Sequence, residues 1–234
     1  MGFVGVAPGT TTLKLPDGSV IALADWIDDK LYGSIELGNG DTGQIEAFSN
    51  GRSQPIPGGA RSQTRVDTNV PRNGDNGLPK DWEALIYGWG IKFSRFMRPP
   101  TGSSNPTLAD TGGALSDPPT LRSVFDIDRV TFFAYEYNGK IYTSGVIQDY
   151  PTGHGFSVFS TNPAFELANN GIPSPRDRVA LVLPVHEREN LGYKGLFQPE
   201  AALVIAQAAS DGGDNLTFAD VKVYKYGLIK RTVI

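Results

Sequence analysis

The sequence predicts an all-β fold, and three observations support this prediction. The chain contains 28 Gly and 17 Pro among its 234 residues, a density that is typical of many turns between short strands. From Trp82 onward, apolar and aromatic runs alternate with Pro- and Gly-rich connections. This part of the chain holds about eight strand-like segments, the number that a jelly-roll β-sandwich or barrel requires.

Composition excludes several classes of protein. A hydrophobic content of 39% and a charged content of 20% indicate a globular chain. The net charge of -4 argues against a dedicated nucleic-acid binder, so no specific nucleic-acid sequence recognition is expected. The chain has no Cys, which excludes disulfides and thiolate metal sites. It has neither an apolar run of about 18 residues, as a membrane helix needs, nor an N-terminus resembling a signal peptide, so synthesis without Sec export is expected.

Residues 1–81 are predicted to form an N-terminal hairpin followed by an extended arm. Residues 10–15 and 19–23 flank a Pro-Asp-Gly turn that ends at Gly18, where glycine tolerates a positive φ. Residues 25–32 are predicted to form a short helical turn with Asp25 as its N-cap. Two short strands follow, at residues 34–37 and 44–48, because polar and apolar residues alternate there.

The arm is the stretch from residue 49 to residue 81. It is rich in Gly, Pro, Asn and Ser, and it contains one strand candidate at residues 64–70. A segment with so little core potential is expected to be ordered by neighbouring molecules or laid along the surface of the body.

Residues 82–234 are predicted to form the jelly-roll body. Asn138 and Gly139 predict a tight hairpin within it. One short helix in a connection is expected at residues 163–171, with Pro163 in its first turn. The strand candidates are residues 84–96, 121–137, 140–147, 156–159, 178–184, 193–197, 201–209 and 221–234. Residues 201–209 fit a strand or a helix, and the β-branched pair in their middle favours a strand.

Clusters of acidic residues offer weak candidates for metal binding. Asp211 and Asp214 could ligate Ca²⁺, but their segment lacks the spacing and the terminal Glu of an EF-hand loop. A polar hairpin turn is the favoured interpretation there, and also around Asp41. Asp126 and Asp128 would share one face of a strand, without further support for a cation. No cofactor is predicted.

Residues suited to acid–base catalysis are few, and the sequence predicts that the protein is not an enzyme. The one group of this kind is Asp149, His154, His186 and Glu187. No sequence motif that supplies a catalytic nucleophile, such as Gly-x-Ser-x-Gly, accompanies it. A glycosidase needs only two carboxylates across a cleft, which a sequence cannot place. The three Trp and nine Tyr residues could stack on sugars, although aromatic residues in strands are usually found in a core or an interface.

The C-terminal segment alternates basic and apolar residues. Its cations are Lys222, Lys225, Lys230 and Arg231. One interpretation is the solvated face of an edge strand, where lysines prevent unwanted strand pairing. The alternative is that these cations meet an acidic neighbouring subunit, an anionic lipid or a genome.

The order of these elements resembles that of the jelly-roll major capsid proteins of small tailless icosahedral bacteriophages, some of which contain a membrane. The resemblance is carried by residues 68–71 (TNVP), 83–93 (EALIYGWGIKF), 139–153 (GKIYTSGVIQDYPTG) and 221–231 (VKVYKYGLIKR). It extends over residues 65–234, and its short phrases are not diagnostic motifs. The chain is shorter than double-barrel members of this lineage, so it looks like a single barrel with an N-terminal arm.

The resemblance implies a structural virion protein that is synthesised in the host cytoplasm and self-assembles into capsomers and an icosahedral lattice. Its partners would be copies of itself, other virion proteins, and an internal membrane or genome on the inner face. The residues expected at subunit interfaces are Trp26, Tyr32, Lys222, Lys225, Lys230 and Arg231. The alternative is a carbohydrate-binding β-sandwich, such as a phage receptor-binding or lectin-like module.

Overall fold

The structure is a computed structural model that describes residues 10–15, 18–70, 77–97, 125–150, 157–162, 165–169, 179–189, 191–205 and 218–231. Its strands are β1 (Thr12–Lys14), β2 (Val20–Ala22), β3 (Trp26–Gly38), β4 (Ile45–Ala47), β5 (Glu83–Met97), β6 (Thr131–Tyr137), β7 (Lys140–Val146), β8 (Ser157–Asn162), β9 (Phe165–Asn169), β10 (Val179–Glu187), β11 (Tyr193–Pro199) and β12 (Phe218–Lys230). The helix α1 covers residues 125–130, and two 3₁₀ turns lie at Leu23–Asp25 and Ile147–Asp149.

Eight of the strands form two four-stranded antiparallel sheets, so the prediction of an all-β fold is confirmed. The order in the first sheet is β10-β5-β12-β3, and the order in the second sheet is β4-β11-β6-β7. Two further pairs, β1-β2 and β8-β9, are separate hairpins. If the eight sheet strands are numbered along the chain, the first sheet has the order 6-3-8-1 and the second sheet has the order 2-7-4-5.

The two sheets pack face to face around an aromatic core. The ring of Trp89 in the first sheet lies 5.0 Å from the ring of Tyr135 in the second sheet. The ring of Phe133 lies 5.0 Å from that of Phe197 and 4.9 Å from that of Tyr150. All five side chains are buried, and burying one large apolar side chain contributes about 1.5–3 kcal/mol. This aromatic cluster therefore holds the sheets together.

Strand β3 begins where the sequence predicted a helical turn. It pairs with the whole of β12, from the pair Trp26 and Lys230 to the pair Gly38 and Phe218. The helical turn predicted for residues 25–32 is therefore wrong, and Asp25 is the last residue of a 3₁₀ turn rather than an N-cap. Pairing along thirteen residues outweighs the local capping preference of one Asp. Strands β3 and β4 precede residue 82, and each adds a strand to one of the two main sheets.

Both hairpins predicted from turn residues are present. Asn138 and Gly139 join β6 to β7 with φ values of 50° and 75°, as a two-residue turn with two positive φ angles requires. Strands β1 and β2 pair around the first turn, where Gly18 has a φ of 85°.

Three other local predictions are wrong. Residues 165–169, expected to be helical, form β9, which pairs with β8; Pro163 and residues 170–171 lie outside the described residues. The helix is instead α1, within a segment that was predicted to be a strand. Of the strand predicted for residues 201–209, residues 201–205 form no strand, because the Leu203 backbone N–H and C=O make hydrogen bonds with the turn at residues 38–41; residues 206–209 lie outside the described residues.

The segment from residue 49 to residue 70 lies against the open edge of β3. Residues 64–70 do not form the predicted strand. Instead, Asn69 Oδ1 accepts a hydrogen bond from the Tyr32 backbone N–H at 2.7 Å, and Asn69 Nδ2 donates to the Lys30 carbonyl at 2.7 Å. Gly58 has a φ of 80°, and a Cβ there would lie 2.0 Å from the Glu36 carbonyl oxygen. The segment therefore makes hydrogen bonds to backbone groups at the edge of β3, and it blocks further strand pairing there.

A buried ionic cluster fastens this segment to the first sheet. The Arg61 guanidinium donates through Nε to Glu36, and through Nη2 to Asp67 at 2.9 Å and to Asp220 at 3.1 Å. All four side chains are buried. One cation thus serves three carboxyl groups. Burial raises the pKa of Glu36 to about 7, reinforced by the charges of Asp220 and Asp67 and opposed by Arg61.

Replacing Glu36 with Gln is expected to stabilise the protein above pH 7. The raised pKa means that an unfolded chain loses this proton near pH 4.5 whereas the folded chain keeps it until about pH 7. The group therefore causes a loss of stability as pH rises between these values, by about 3 kcal/mol in total. In urea unfolding as a function of pH, E36Q should lack this loss, and E46Q, which changes a half-buried glutamate of β4, should retain it. Equal pH profiles for E36Q and the unmodified protein would contradict the expectation.

Candidate functional site

The basic C-terminal strand is not an edge strand. β12 lies between β5 and β3 and pairs with both, so the interpretation of its lysines as guards of an open edge is wrong. Alternate residues point to opposite faces of the sheet. Val223 and Lys225 therefore face the core, whereas Lys222, Tyr224 and Lys230 face outward.

Lys225 is fully buried, so its predicted place at a subunit surface is wrong. Its Nζ donates to Glu187 Oε2 at 2.8 Å and to Tyr135 Oη at 3.3 Å, and it lies 3.4 Å from the centre of the Tyr193 ring. Tyr135 Oη in turn donates to Glu187 Oε1. Burial, together with the charge and the hydrogen bond of Glu187, raises the pKa of Tyr135 well above its usual range. Tyr135 therefore remains a donor, and the Lys225 group is a structural ion pair inside the sandwich.

A cleft of about 850 Å³ opens at the end of the first sheet, beside the C-terminal end of β12. The start of β3 and β5 and the ends of β10 and β12 meet there, because all of these strands are antiparallel to their neighbours. The side chains most relevant to recognition are Trp82, Glu83, His186, Arg188, Lys230 and Arg231. The cleft thus combines an aromatic ring with groups of both charge signs.

Glu83 is the centre of the hydrogen-bond network in this cleft. Its two carboxylate oxygens contact His186 Nε2 at 2.8 Å and Lys230 Nζ at 3.0 Å. Partial burial raises the pKa of Glu83, but the hydrogen bonds with Lys230 and His186 outweigh this effect and lower it. The same hydrogen bond with Glu83 raises the pKa of Lys230. The site therefore holds an ionised carboxylate rather than a carboxylic acid that could donate a proton.

Aromatic residues border the network on two sides. The Arg231 guanidinium lies 5.7 Å from the centre of the Trp82 ring and pairs with Asp29. The Trp26 ring lies 6.3 Å from the His186 ring. Of the six residues predicted for interfaces, Lys230 and Arg231 therefore line this cleft, and Trp26 lies beside its His186.

Tyr32 and Lys222 lie elsewhere, on the outer face of the first sheet. Lys222 Nζ donates to the Val66 carbonyl at 2.6 Å and lies 5.3 Å from the centre of the Tyr32 ring. The Tyr32 hydroxyl donates to the Arg65 carbonyl at 2.6 Å. Both side chains thus also help to hold the segment of residues 49–70 on the sheet.

The acid–base residues predicted from the sequence do not converge. His186 and Glu187 are consecutive in β10, so His186 faces the cleft while Glu187 is buried beside Lys225. Asp149 accepts a hydrogen bond from the Val146 backbone N–H at 3.1 Å, and His154 lies outside the described residues. The described part of the chain therefore does not unite His186 and Glu187 in one site.

The acidic residues predicted as weak metal-binding candidates lie in a turn, in α1 or outside the described residues. Asp211 and Asp214 belong to the last group. Asp41 accepts a hydrogen bond from the Gly38 backbone N–H at 2.6 Å, which supports the polar-turn interpretation. Asp126 and Asp128 belong to α1, so the shared strand face expected for them is wrong. Burial and the charge of Asp149 raise the pKa of Asp128 to about 7.

The described residues hold no group of three or more His, Cys, Asp or Glu residues that could bind a metal ion. None of the described helical segments has the length and apolar character to cross a membrane.

The most strongly interacting polar residues escaped prediction from the sequence. Arg61 and Asp220 are 159 positions apart in the chain. Like Glu36 and Asp67, each has the local context of an ordinary strand or loop residue. These side chains come together because β3 pairs with β12 over a long range, and no local sequence pattern predicts that pairing.

No protein-family model, no curated protein and no solved structure matches the chain.

Proposed function

We propose that the protein is a structural virion protein, a capsid shell subunit built on a jelly roll that self-assembles into capsomers and an icosahedral lattice. The observation that supports this proposal is the strand order, 6-3-8-1 in the first sheet and 2-7-4-5 in the second. The adjacent pairs 1 and 8, 2 and 7, 3 and 6, and 4 and 5 are all antiparallel. A long hairpin wrapped into two sheets would produce this nesting, and this supports the proposed jelly roll.

The charged cleft is the proposed contact with a neighbouring subunit. Tryptophan and arginine are enriched at the centres of protein interfaces, and charges of both signs select the partner and its orientation. Ile27 also lines the cleft and leaves 50% of its surface exposed. The neighbouring copy would cover this apolar residue and complete the surroundings of Trp82.

Assembly can be tested on the purified full chain by light scattering after size-exclusion chromatography and by negative-stain microscopy. We expect capsomers or larger closed particles. A protein that stays monomeric over the accessible concentration range, with or without added salt, would contradict the proposal.

Replacing Ile27 with Asp is expected to weaken assembly by at least tenfold in subunit concentration, because it places a charge in the apolar part of a buried contact. Ile141→Asp is the matched control, since Ile141 is an isoleucine of β7 with 55% of its surface exposed. Both variants should unfold at nearly the same temperature as the unmodified protein. Equal assembly by I27D and I141D would place the subunit contact elsewhere.

Carbohydrate binding is the second candidate function. The observation that favours it is Trp82 in an open cleft together with the carboxylates of Asp25, Asp81 and Glu83, because aromatic rings and carboxylates can contact the faces and hydroxyls of sugars. A glycan array with the unmodified protein and Trp82→Ala would decide this. Glycan binding that W82A abolishes would support a lectin-like module, and no bound glycan would argue against it.

A further inference from the structure

The middle of the first sheet presents a cationic and aromatic outer face. Its members, here called the Lys/Tyr face, are Lys30 and Tyr32 of β3, Lys92 of β5, and Lys222, Tyr224 and Tyr226 of β12. Strand register brings them together, because Tyr224 lies opposite Tyr32, Tyr226 opposite Lys30, and Lys222 opposite Lys92. Val223 and Lys225, which alternate with them, are buried in the core.

The three tyrosines form a continuous row. The Tyr224 ring lies 6.0 Å from the Tyr32 ring and 6.0 Å from the Tyr226 ring. The planes of Tyr224 and Tyr226 are inclined by only 20°. Across the sheet, Tyr224 and Tyr226 are opposite Gly90 and Gly88, which have no side chains. On the side of β5, Tyr224 and Tyr226 therefore lie beside glycine backbone rather than beside other side chains.

Positive charge flanks the row of rings. Lys30 Nζ lies 5.3 Å from the centre of the Tyr224 ring. Lys222 Nζ, which donates to the Val66 carbonyl at 2.6 Å, lies 5.3 Å from the centre of the Tyr32 ring. Lys92 is exposed. Burial, with a smaller effect of the neighbouring tyrosines, raises the pKa of Tyr224 to about 12. Its hydroxyl therefore adds no negative charge at neutral pH.

Carboxylates on this side of the sheet are largely neutralised or covered. Glu36 and Asp220 also point outward, but they are buried with Arg61 beneath the segment of residues 49–70. The exposed Asp28 accepts a hydrogen bond from the Tyr87 hydroxyl at 2.7 Å. A chain with a net charge of -4 thus concentrates three lysines on one aromatic face.

We propose that the Lys/Tyr face binds single-stranded nucleic acid, with the lysines contacting phosphates and the tyrosines packing against bases. Cations beside a row of aromatic rings are the two elements that sequence-tolerant binding of single strands uses. A membrane of anionic lipid would use the lysines, but it would gain little from neutral rings held in a rigid row. The inference goes beyond the proposed role in a shell, because binding of an oligonucleotide by a single subunit does not require assembly.

The test is fluorescence anisotropy of a labelled oligothymidylate titrated with the full chain at several salt concentrations. Three phosphate contacts predict that log K falls with log salt with a slope of about -2. The triple variant K30Q/K92Q/K222Q should weaken binding at low salt by about tenfold or more and bring the slope close to zero. Tyr226→Leu should weaken binding about tenfold with little change in slope, because it removes a stacking surface and no charge.

The matched control is K80Q/K140Q/K194Q, which removes three lysines outside the Lys/Tyr face and changes net charge by the same amount. It should leave binding within about twofold of the unmodified protein. Equal weakening by the two triple variants would overturn the proposal, as would no oligonucleotide binding at low salt. Binding of phosphatidylglycerol vesicles without binding of the oligonucleotide would also overturn it. Thermal unfolding of each variant verifies that the fold is retained.

Discussion

Replacing Arg61 with Met is expected to destabilise the protein by about 3–5 kcal/mol, because it leaves buried carboxylates without their cation. The guanidinium is the partner of Glu36, Asp67 and Asp220 in this cluster. Burial raises the pKa of Asp67, but hydrogen bonds from Arg61 and Thr64 outweigh this effect and lower it. Loss of Arg61 should therefore cost most stability at neutral pH and less in acid, where the carboxyl groups are protonated. Urea unfolding measured across this pH range would check the expectation.

Two further substitutions serve as controls for Arg61. Arg65 lies in the same segment and is exposed, so Arg65→Met should change stability by no more than about 0.5 kcal/mol. Arg61→Lys keeps the charge but lacks the planar guanidinium that contacts all three carboxyl groups. The stability of R61K should therefore lie between those of R61M and R65M. Similar stabilities for R61M and R65M would show that the cluster does not hold the segment in place.

Replacing Lys225 with Met is expected to cost a comparable amount, about 3–5 kcal/mol. Nζ of Lys225 and Oε2 of Glu187 are 2.8 Å apart, and both side chains have no exposed surface. Without the lysine, the Glu187 carboxylate would remain buried without its cation. Thermal or urea unfolding at neutral pH would measure the loss of stability in K225M.

The double variant K225M/E187Q distinguishes charge from packing. A glutamine can still accept the hydrogen bond of Tyr135, and the pair no longer contains a buried charge, so most of the lost stability should return. Lys92→Met, a change at an exposed lysine of β5, should have little effect. If the double variant loses as much stability as K225M and E187Q do when their separate losses are added, the loss arises from packing around Lys225 rather than from an unpaired charge.

Local turn chemistry was predictable from the sequence, whereas competition between helix and strand was not. Asn138 and Gly139 specify a hairpin because they adopt positive φ angles that other residues avoid. Residues 163–171 carried helix-capping residues, yet residues 165–169 pair with β8. Short-range preferences amount to fractions of a kcal/mol per residue, and pairing with a strand from elsewhere in the chain outweighs them.

The candidate site was predictable in part. Trp26, Lys230 and Arg231 were among the residues expected at an interface. Lys230 and Arg231 line one cleft, and Trp26 lies beside His186, which also lines it. Its central carboxylate, Glu83, was not selected, because nothing in a strand beginning with Glu indicates that Lys230 and His186 will lie beside it. Their proximity arises from the register of β5 with β12 and β10.

By itself, the sequence determined the all-β character of the protein, its tightest turns and the alternation that gives each strand two faces. The tertiary structure alone decided which strands are neighbours, and hence that β12 is central rather than an edge strand. That decision separates Lys222 on the outer face from Lys225 in the core. The physical reason is that alternation assigns a residue to a face, whereas only long-range pairing determines whether that face meets water, a loop or the opposite sheet.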